Sequence, residues 1–332
     1  MTKIAKIFCI ALVLLLAGLP AAAQRRGYVI SPVNGESVLH ESAVRASVDW
    51  LTDPAGGGRA TGTPGGLRTA RWLAGQFQAV GLQPLGADYL QELRTETGQK
   101  GWNVIGRVPG KGTPQQFIVL MAHFDNLGIL GGTLYPGADS NASGVAALLE
   151  LGRMFVRMSE VGKTYSQGLL LVALDGKEQS LGGARAFLIS VEEGAFIHPF
   201  TGAPLTLADI SQVVNLDQLG STLAPITKGQ PNYLLMLSEP GAPRQRAMAV
   251  NQARNLELEL AYDYYGSKDF TKLFYRRISD HCPFLEKGIP SVLFTSGITL
   301  NNNKPYDDAA SLDYPVLTRR IRFIFYYLDK SL

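Results

Sequence analysis

The sequence predicts an α/β fold, a three-layer αβα sandwich around a mixed, mainly parallel sheet. Short runs that are apolar almost throughout predict strands covered by helices on both faces. Between these runs lie segments of helical periodicity, such as 143–158, where Val145, Leu149 and Val156 share one stripe. Polar side chains follow several of the apolar runs, at the strand ends where such sheets bind ligands. We predict strands at 103–108, 117–122, 168–174, 212–217 and 290–296, and helices near 37–51, 67–80, 143–158 and after Pro315.

Residues 1–23 predict a secretory signal peptide. Two lysines precede an apolar stretch from Ile7 to Leu19, and three alanines then offer a small-residue cleavage site before Gln24. The apolar stretch is shorter than the roughly 20 residues that a membrane-spanning helix needs. We therefore expect one domain over 24–332, exported to the periplasm or the extracellular space, with no membrane span.

Charge and cysteine content exclude two further classes of protein. Without Lys3 and Lys6, the 31 basic residues of the chain become 29, against 28 acidic residues. This balance leaves no basic surface for nucleic acid, so we expect no nucleic-acid partner. Only Cys282 remains after residue 23, which excludes a disulfide within the predicted domain and favours a lone buried thiol.

Acidic and imidazole side chains stand at the ends of three predicted strands and just before one predicted helix. His123 and Asp125 end one strand and project in the same direction, as a metal ligand and the carboxylate that orients it would. Asp139 lies in a turn before a helix, and Glu178 and Asp217 follow two further strands. Each taken alone could be a helix cap or a solvated strand-end side chain. Together they offer the nitrogen and oxygen ligands of a catalytic zinc site.

The order of these motifs resembles that of the co-catalytic zinc exopeptidases, a family of secreted bacterial aminopeptidases related to glutamate carboxypeptidase and the glutaminyl cyclases. The resemblance runs from about Asn103 to Tyr314. It rests on HFD at 123–125, GADSNASG at 137–144, a glutamate before a glycine-rich turn, NLDQLG at 215–220 and SDHCPF at 279–284.

The resemblance implies a two-zinc site that is incomplete in this chain. Asp139 would bridge the ions, and His123 and Asp217 would complete the first of them. The second would take Glu178 and a late histidine, but the matching position is Asn303, and asparagine is a poor zinc ligand. We therefore expect one zinc ion, bound through His123, Asp139 and Asp217.

The general base of the family is also replaced. Its position falls on Lys177, whose ordinary pKa of about 10.4 leaves no lone pair to accept a proton at neutral pH. Three ligand carboxylates and one lysine carry a charge that a single Zn²⁺ balances. Lys177 would then be a fixed cation near the place of the second ion, unless its side chain turns to solvent.

The other histidines are weak candidates to replace the missing zinc ligand. His281 is the better substitute for the missing ligand, since the family places the SDH segment beside the site, whereas His40 and His198 are expected to be structural. The chain has neither a G-x-S-x-G elbow nor an H-E-x-x-H motif.

Two functions follow from this resemblance. One is an exported aminopeptidase-type amide hydrolase with an altered, mononuclear zinc centre acting on peptides or aminoacyl compounds. The other is a non-catalytic homologue that binds peptides or a partner protein in the retained cleft. Residues 260–277 are aromatic and basic enough to form a wall of that cleft, with Asp263, Tyr264, Tyr265 and Arg277 as candidate contacts.

Overall fold

A nine-stranded mixed sheet forms the centre of the computed structural model, which describes residues 35–110, 112–264 and 266–332. Its strand order is β1-β3-β7-β4-β8-β11-β9-β10, with β2 also paired to β3, and β5 and β6 form a separate hairpin. The strands are β1 (Gln83–Pro84), β2 (Leu90–Arg94), β3 (Lys100–Arg107), β4 (Phe117–His123), β5 (Gly128–Leu130), β6 (Thr133–Tyr135), β7 (Gly168–Leu174), β8 (Ile210–Leu216), β9 (Tyr233–Ser238), β10 (Glu259–Ala261) and β11 (Ser291–Thr295).

The four central strands are parallel, and this brings their carboxyl ends to one edge of the sheet. β4 pairs with β7 and with β8, and β8 pairs with β11. His123 lies opposite Leu174, and Met121 lies opposite Asn215. The residues that follow β7 and β8 therefore emerge beside His123.

Helices cover both faces of the sheet and complete the three layers. The long helices α2, α3 and α8 pack on one face, where α1 and α5 join them, while α4, α6 and α7 lie on the other face. The helices are α1 (Glu41–Thr52), α2 (Pro64–Val80), α3 (Ser143–Glu160), α4 (Gly182–Glu192), α5 (Ala242–Arg254), α6 (Lys268–Tyr275), α7 (Cys282–Glu286) and α8 (Tyr314–Asp329).

Burial on both faces explains why the central strands are apolar throughout. Alternate residues of β4, from Phe117 to Met121, belong to the core under α4. The residues between them, from Ile118 to Ala122, belong to the core under α3 and α8. All of them are buried, as expected of a strand between two helical layers.

The predicted fold class is confirmed, and the predicted strand at 168–174 has the bounds of β7. The other predicted strand ends differ from the observed ones by up to three residues. The prediction missed β1, β2, β5, β6, β9 and β10 and named no helix between 182 and 286. β9 is antiparallel to β11, a pairing that depends on distant residues rather than on a local pattern.

Within the described ranges, no helix is long and apolar enough to cross a membrane. The predicted signal peptide, residues 1–23, lies outside the described residues. The structure therefore does not test its assignment.

Candidate functional site

The ends of β4, β7 and β8 bring an imidazole, an ammonium and carboxylates together. His123 ends β4, and its Nε2 lies 3.4 Å from Oδ1 of Asp217, the residue after β8. Lys177 lies in the loop after β7, with its Nζ 4.0 Å from Oδ2 of Asp217 and 3.4 Å from Oε1 of Glu178. His123 and Asp217 are buried, whereas Lys177 and Glu178 retain contact with solvent. Four predicted site residues thus lie close together.

Asp125 connects His123 to the loop that bears Lys177. Its carboxylate accepts the backbone N–H groups of Lys177 and Glu178, each at 3.0 Å. Its Oδ1 lies 3.5 Å from Nδ1 of His123, and its backbone oxygen lies 3.1 Å from the same nitrogen. Asp125 therefore contacts both His123 and the loop after β7, and its role in orienting His123 stays a prediction.

Lys177 does not turn away to solvent. Its side chain is 16% exposed, and the ammonium lies against carboxylates from two different strand ends. Burial by itself would lower the pKa of Lys177, but Asp217 and Glu178 raise that pKa above its ordinary value. The ammonium therefore keeps its proton, and in that form it has no lone pair with which to accept another.

Lys177 influences the pKa values of its neighbours Asp217 and His123. Burial would raise the pKa of Asp217, but Lys177 and His123 hold it well below its ordinary range. Burial and the repulsion of Lys177 would lower the pKa of His123, but the nearby carboxylates of Asp125 and Asp217 outweigh them and raise it to about 10. A metal ion at His123 would have to displace this proton.

Asp139 makes its hydrogen bonds outside the cluster of His123, Lys177, Glu178 and Asp217. Its Oδ1 accepts Gly220 N at 2.7 Å and Ser143 Oγ at 3.1 Å. Burial and the nearby carboxylate of Asp307 raise the pKa of Asp139 to about 7. Among the described residues, it forms no ion pair with His123. The predicted bridging carboxylate thus contacts the loop after β8.

Two residues that the sequence analysis did not single out hold the turn around Asp139. Asn141 Nδ2 donates to the oxygen of Leu216, which ends β8, at 2.9 Å, and to that of His123 at 3.3 Å. The carboxylate of Asp307 accepts Asp139 N at 2.8 Å and Ser140 N at 3.1 Å. Asn141 belongs to the GADSNASG motif, so its position in the sequence was a usable signal.

Asn303 and His281, the two residues considered for the missing metal-ligand position, lie in different surroundings. Asn303 is exposed in a turn, with φ of 57°. His281 is buried, with Nε2 2.6 Å from the oxygen of Tyr275 and Nδ1 3.5 Å from Nδ2 of Asn215. Burial lowers the pKa of His281 to about 4. Both ring nitrogens of His281 thus already have neighbours, which argues against its serving as a ligand.

Asp280, within the SDH motif, is a further residue that the sequence analysis did not single out. It is fully buried, and neither carboxylate oxygen has a hydrogen-bond partner among the described residues. Burial raises its pKa to about 7, although the charges of His123 and Lys177 oppose the rise. These electrostatic influences assign Asp280 to the surroundings of the site.

The available donors only partly suit a metal ion. Nε2 of His123 and Oδ1 of Asp217 are buried, lack hydrogen-bond partners in the described part of the chain, and are close enough to share one ion. However, residues 35–110, 112–264 and 266–332 contain no group of three or more His, Cys, Asp or Glu side chains arranged to hold a metal. Oδ2 of Asp139 is a third buried donor without a partner in the described ranges, but it is not grouped with the other two as a zinc site requires.

The candidate contact residues of segment 260–277 lie in different surroundings. Tyr264 is buried and stacks on Phe274, with 4.3 Å between ring centroids. Asp263 lines a separate cleft, Arg277 is exposed, and Tyr265 lies outside the described residues. Its predicted role as a wall of the substrate site stays a prediction.

Comparison with known proteins identifies the family. The family model for peptidase family M28 matches residues 103–328. A zinc aminopeptidase from Bacillus subtilis has the same fold, with a TM-score of 0.65 and 14% identity over 88% of this chain and 95% of that chain.

Two curated relatives differ in what their descriptions say. A BOS complex subunit, ncln, of Danio rerio is 36% identical over 140 residues, which is 40% of this chain and 23% of that protein. A protein of Pyrenophora tritici-repentis described as a probable zinc metalloprotease is 23% identical over 255 residues, 67% of this chain and 54% of that protein. The chain thus spans between about a quarter and about a half of the length of these relatives.

Proposed function

Because the chain belongs to peptidase family M28, we propose that it retains the cleft of a peptidase as a binding site for a peptide or a partner protein, without efficient hydrolysis. Family membership implies peptide ligands, and this proposal is supported by the closeness of His123, Lys177 and Asp217 at three neighbouring strand ends. The chemistry at those strand ends differs from that of a metal-activated hydrolase.

The observation that supports this proposal is the position of the Lys177 ammonium. It lies 3.4 Å from Glu178 and 4.0 Å from Asp217, so a cation of the chain itself neutralises carboxylates that would otherwise attract metal. The same residue stands at the position of the general base and retains its proton. One substitution thereby removes the base and opposes a metal ion.

The charges that remain favour a cationic group on the ligand. The carboxylates of Asp125, Asp217 and Glu178 outnumber the cationic groups beside them, Lys177 and the imidazole of His123, so the cluster has an excess of negative charge. The amino terminus of a peptide would balance this charge. Since Glu178 is partly exposed, its carboxylate is the accessible partner for such a group.

A protein partner is supported by the relatives. The Danio rerio protein, which shares 36% identity over 140 residues, is described as a subunit of a complex. A peptidase fold without turnover would suit a role of that kind, in which the cleft contacts an extended segment of another protein.

The second candidate is an aminopeptidase-type hydrolase with one zinc ion. The unpartnered Nε2 of His123 and Oδ1 of Asp217 favour it. In this case the two residues, together with Asp139 as predicted from the sequence, would hold the ion, and Asp125 would keep His123 oriented. A bound zinc would supply a Lewis acid for the scissile carbonyl. Glu178 would remain paired with Lys177.

Zinc affinity distinguishes the two candidates, and Lys177→Gln is the informative variant. After removal of metal with a chelator, isothermal titration calorimetry should show weak zinc binding to the wild-type protein. Lys177→Gln should raise the affinity about tenfold or more, because it removes the repulsion between the ammonium and Zn²⁺, and about 1.4 kcal/mol already corresponds to a factor of ten. Lys287→Gln, which removes an exposed lysine paired with Glu192, is the matched control and should leave zinc affinity unchanged.

Hydrolytic activity is the second measurement that distinguishes the two candidate functions. On a panel of aminoacyl amides, the wild-type protein should show no turnover that depends on metal. A tightly bound zinc ion in the wild-type protein, with hydrolysis lost in His123→Ala, would contradict the binding role and establish the mononuclear hydrolase.

A further inference from the structure

A cleft of about 570 Å³ lies away from the site described above. It opens beside the end of β9, where Ser238 pairs with Val292 near the beginning of β11. β9 runs antiparallel to β11, so this end of β9 is at the edge of the sheet opposite to His123 and Asp217. Its size falls within the range of about 300–1,000 Å³ that small-molecule sites occupy.

A row of positive charges from α6 borders this cleft. Lys268, Lys272 and Arg276 follow one another at intervals of four residues, so they project from the same side of the helix. Like charges at this spacing repel, and the row is therefore slightly destabilising by itself. Neither lysine forms an ion pair with any described residue. Arg276 pairs with Glu239 at 3.5 Å, but both side chains are at least half exposed.

The opposite wall holds buried donors without partners. Arg244, in the first turn of α5, donates from Nη2 to Ser238 O at 2.9 Å and lies 5.3 Å from the ring centroid of Tyr262. Within the described ranges, Nε of Arg244 and the hydroxyl of Tyr262 are buried and make no hydrogen bond. A buried donor without an acceptor costs free energy, which a ligand oxygen would recover.

The charges of the residues that line the cleft favour an anionic ligand. Four basic side chains line it, against the carboxylates of Glu239 and Asp263. We propose that the cleft binds a small organic anion, whose phosphate or carboxylate group contacts Arg244 and Lys272 and whose apolar body packs on Tyr262. Arginine suits this role because its planar fork of donors matches both oxyanions. A single inorganic ion would fill only a small part of the volume.

Isothermal titration calorimetry of the whole protein at low ionic strength tests this proposal, with phenyl phosphate and phenylacetate as probes. We expect one of them to bind, and the preferred probe identifies the oxyanion. Arg244→Gln should weaken this binding about tenfold, since a charge-assisted contact is lost. The double variant Lys268→Gln and Lys272→Gln should weaken it several-fold. Both lysines are exposed, so this variant reports on binding even if Arg244→Gln impairs folding.

Lys228→Gln is the matched control, because Lys228 is exposed and does not line the cleft. It should leave the affinity unchanged. Failure of both probes to bind, or equal affinity in the wild-type protein and the lysine double variant, would refute the proposal. So would far tighter binding of a single-stranded oligonucleotide, which would indicate a surface for polyanions. Zinc binding and aminopeptidase activity take no part in this experiment, so its outcome is independent of the function proposed for the first site.

Discussion

Lys177 illustrates how one side chain changes the chemistry of a strand-end site. The backbone around it is held by Asp125, which accepts the N–H groups of Lys177 and Glu178. These contacts do not depend on which side chain occupies position 177. The loop can therefore keep its position while the side chain supplies an ammonium in place of a base.

Asp280 allows a test of the electrostatics at the scale of one residue. Its pKa is about 7 in the folded protein, against about 3.9 for an aspartate in an unfolded chain. Between these values the unfolded chain releases a proton that the folded protein retains, so Asp280 lowers stability as pH rises from about 4 to about 7. Asp280→Asn removes this dependence and should gain stability relative to the wild-type protein across the same window.

Urea unfolding at several pH values, with a chelator present, measures this effect. Each pKa unit corresponds to about 1.4 kcal/mol, so the two stability curves should diverge by a few kcal/mol. Asp49→Asn, which removes an exposed carboxylate on α1, controls for the loss of one charge. Parallel curves for Asp280→Asn and the wild-type protein would contradict the buried, protonatable state of Asp280.

At the scale of secondary-structure elements, the approach of α4 to the end of β7 positions the loop that bears Lys177. A Cβ at Gly183 would lie 2.1 Å from the oxygen of Asp175 and 2.5 Å from Oδ1 of Asn103. The first turn of α4 can therefore reach β7 only because position 183 has no side chain. Asn103 Nδ2 strengthens this junction by donating to Gly183 O at 2.9 Å.

Gly183→Ala should consequently lower the free energy of unfolding by about 1–3 kcal/mol, the usual cost of overpacking. Gly75→Ala is the matched control, because Gly75 lies exposed within α2 and a Cβ there meets no atom within 4 Å. That change should stabilise the protein by roughly 0.5–1 kcal/mol. Denaturant unfolding measures both, and equal effects of the two substitutions would show that the α4 junction tolerates a methyl group.

At the scale of the whole molecule, the prediction that concerns residues 1–23 is export. Expression of the whole chain in a bacterial host should yield a periplasmic or secreted protein that begins at Gln24, because the apolar stretch is followed by a small-residue cleavage site. N-terminal sequencing of the fractionated protein measures this. Removal of residues 1–23 should keep the protein in the cytoplasm, and an uncleaved chain in the membrane fraction would contradict the assignment.

The fold was predictable because its signals are local. Runs such as 117–122 and 168–174 are apolar on both faces, and this pattern requires no knowledge of distant residues. The run at 233–238 is equally apolar, so β9 gives the same local signal, and only its antiparallel pairing with β11 and the presence of the three-residue β10 depend on distant residues. α5 carries many polar residues, and its helical pattern is correspondingly weak, whereas α6 is amphipathic but only eight residues long.

The sequence by itself determined the family, the fold class and the four strand-end residues His123, Lys177, Glu178 and Asp217, because parallel strands place their carboxyl ends together. Only the tertiary structure decided which contacts these side chains make. Asp139 is directed to Gly220, 81 positions away in the chain, and the ring of His281 lies between Tyr275 and Asn215. The direction of a buried side chain follows the partners that packing supplies, and those partners are distant in sequence. For the same reason, the ion pair of Lys177 with Asp217 became visible only once β7 and β8 lay on either side of β4.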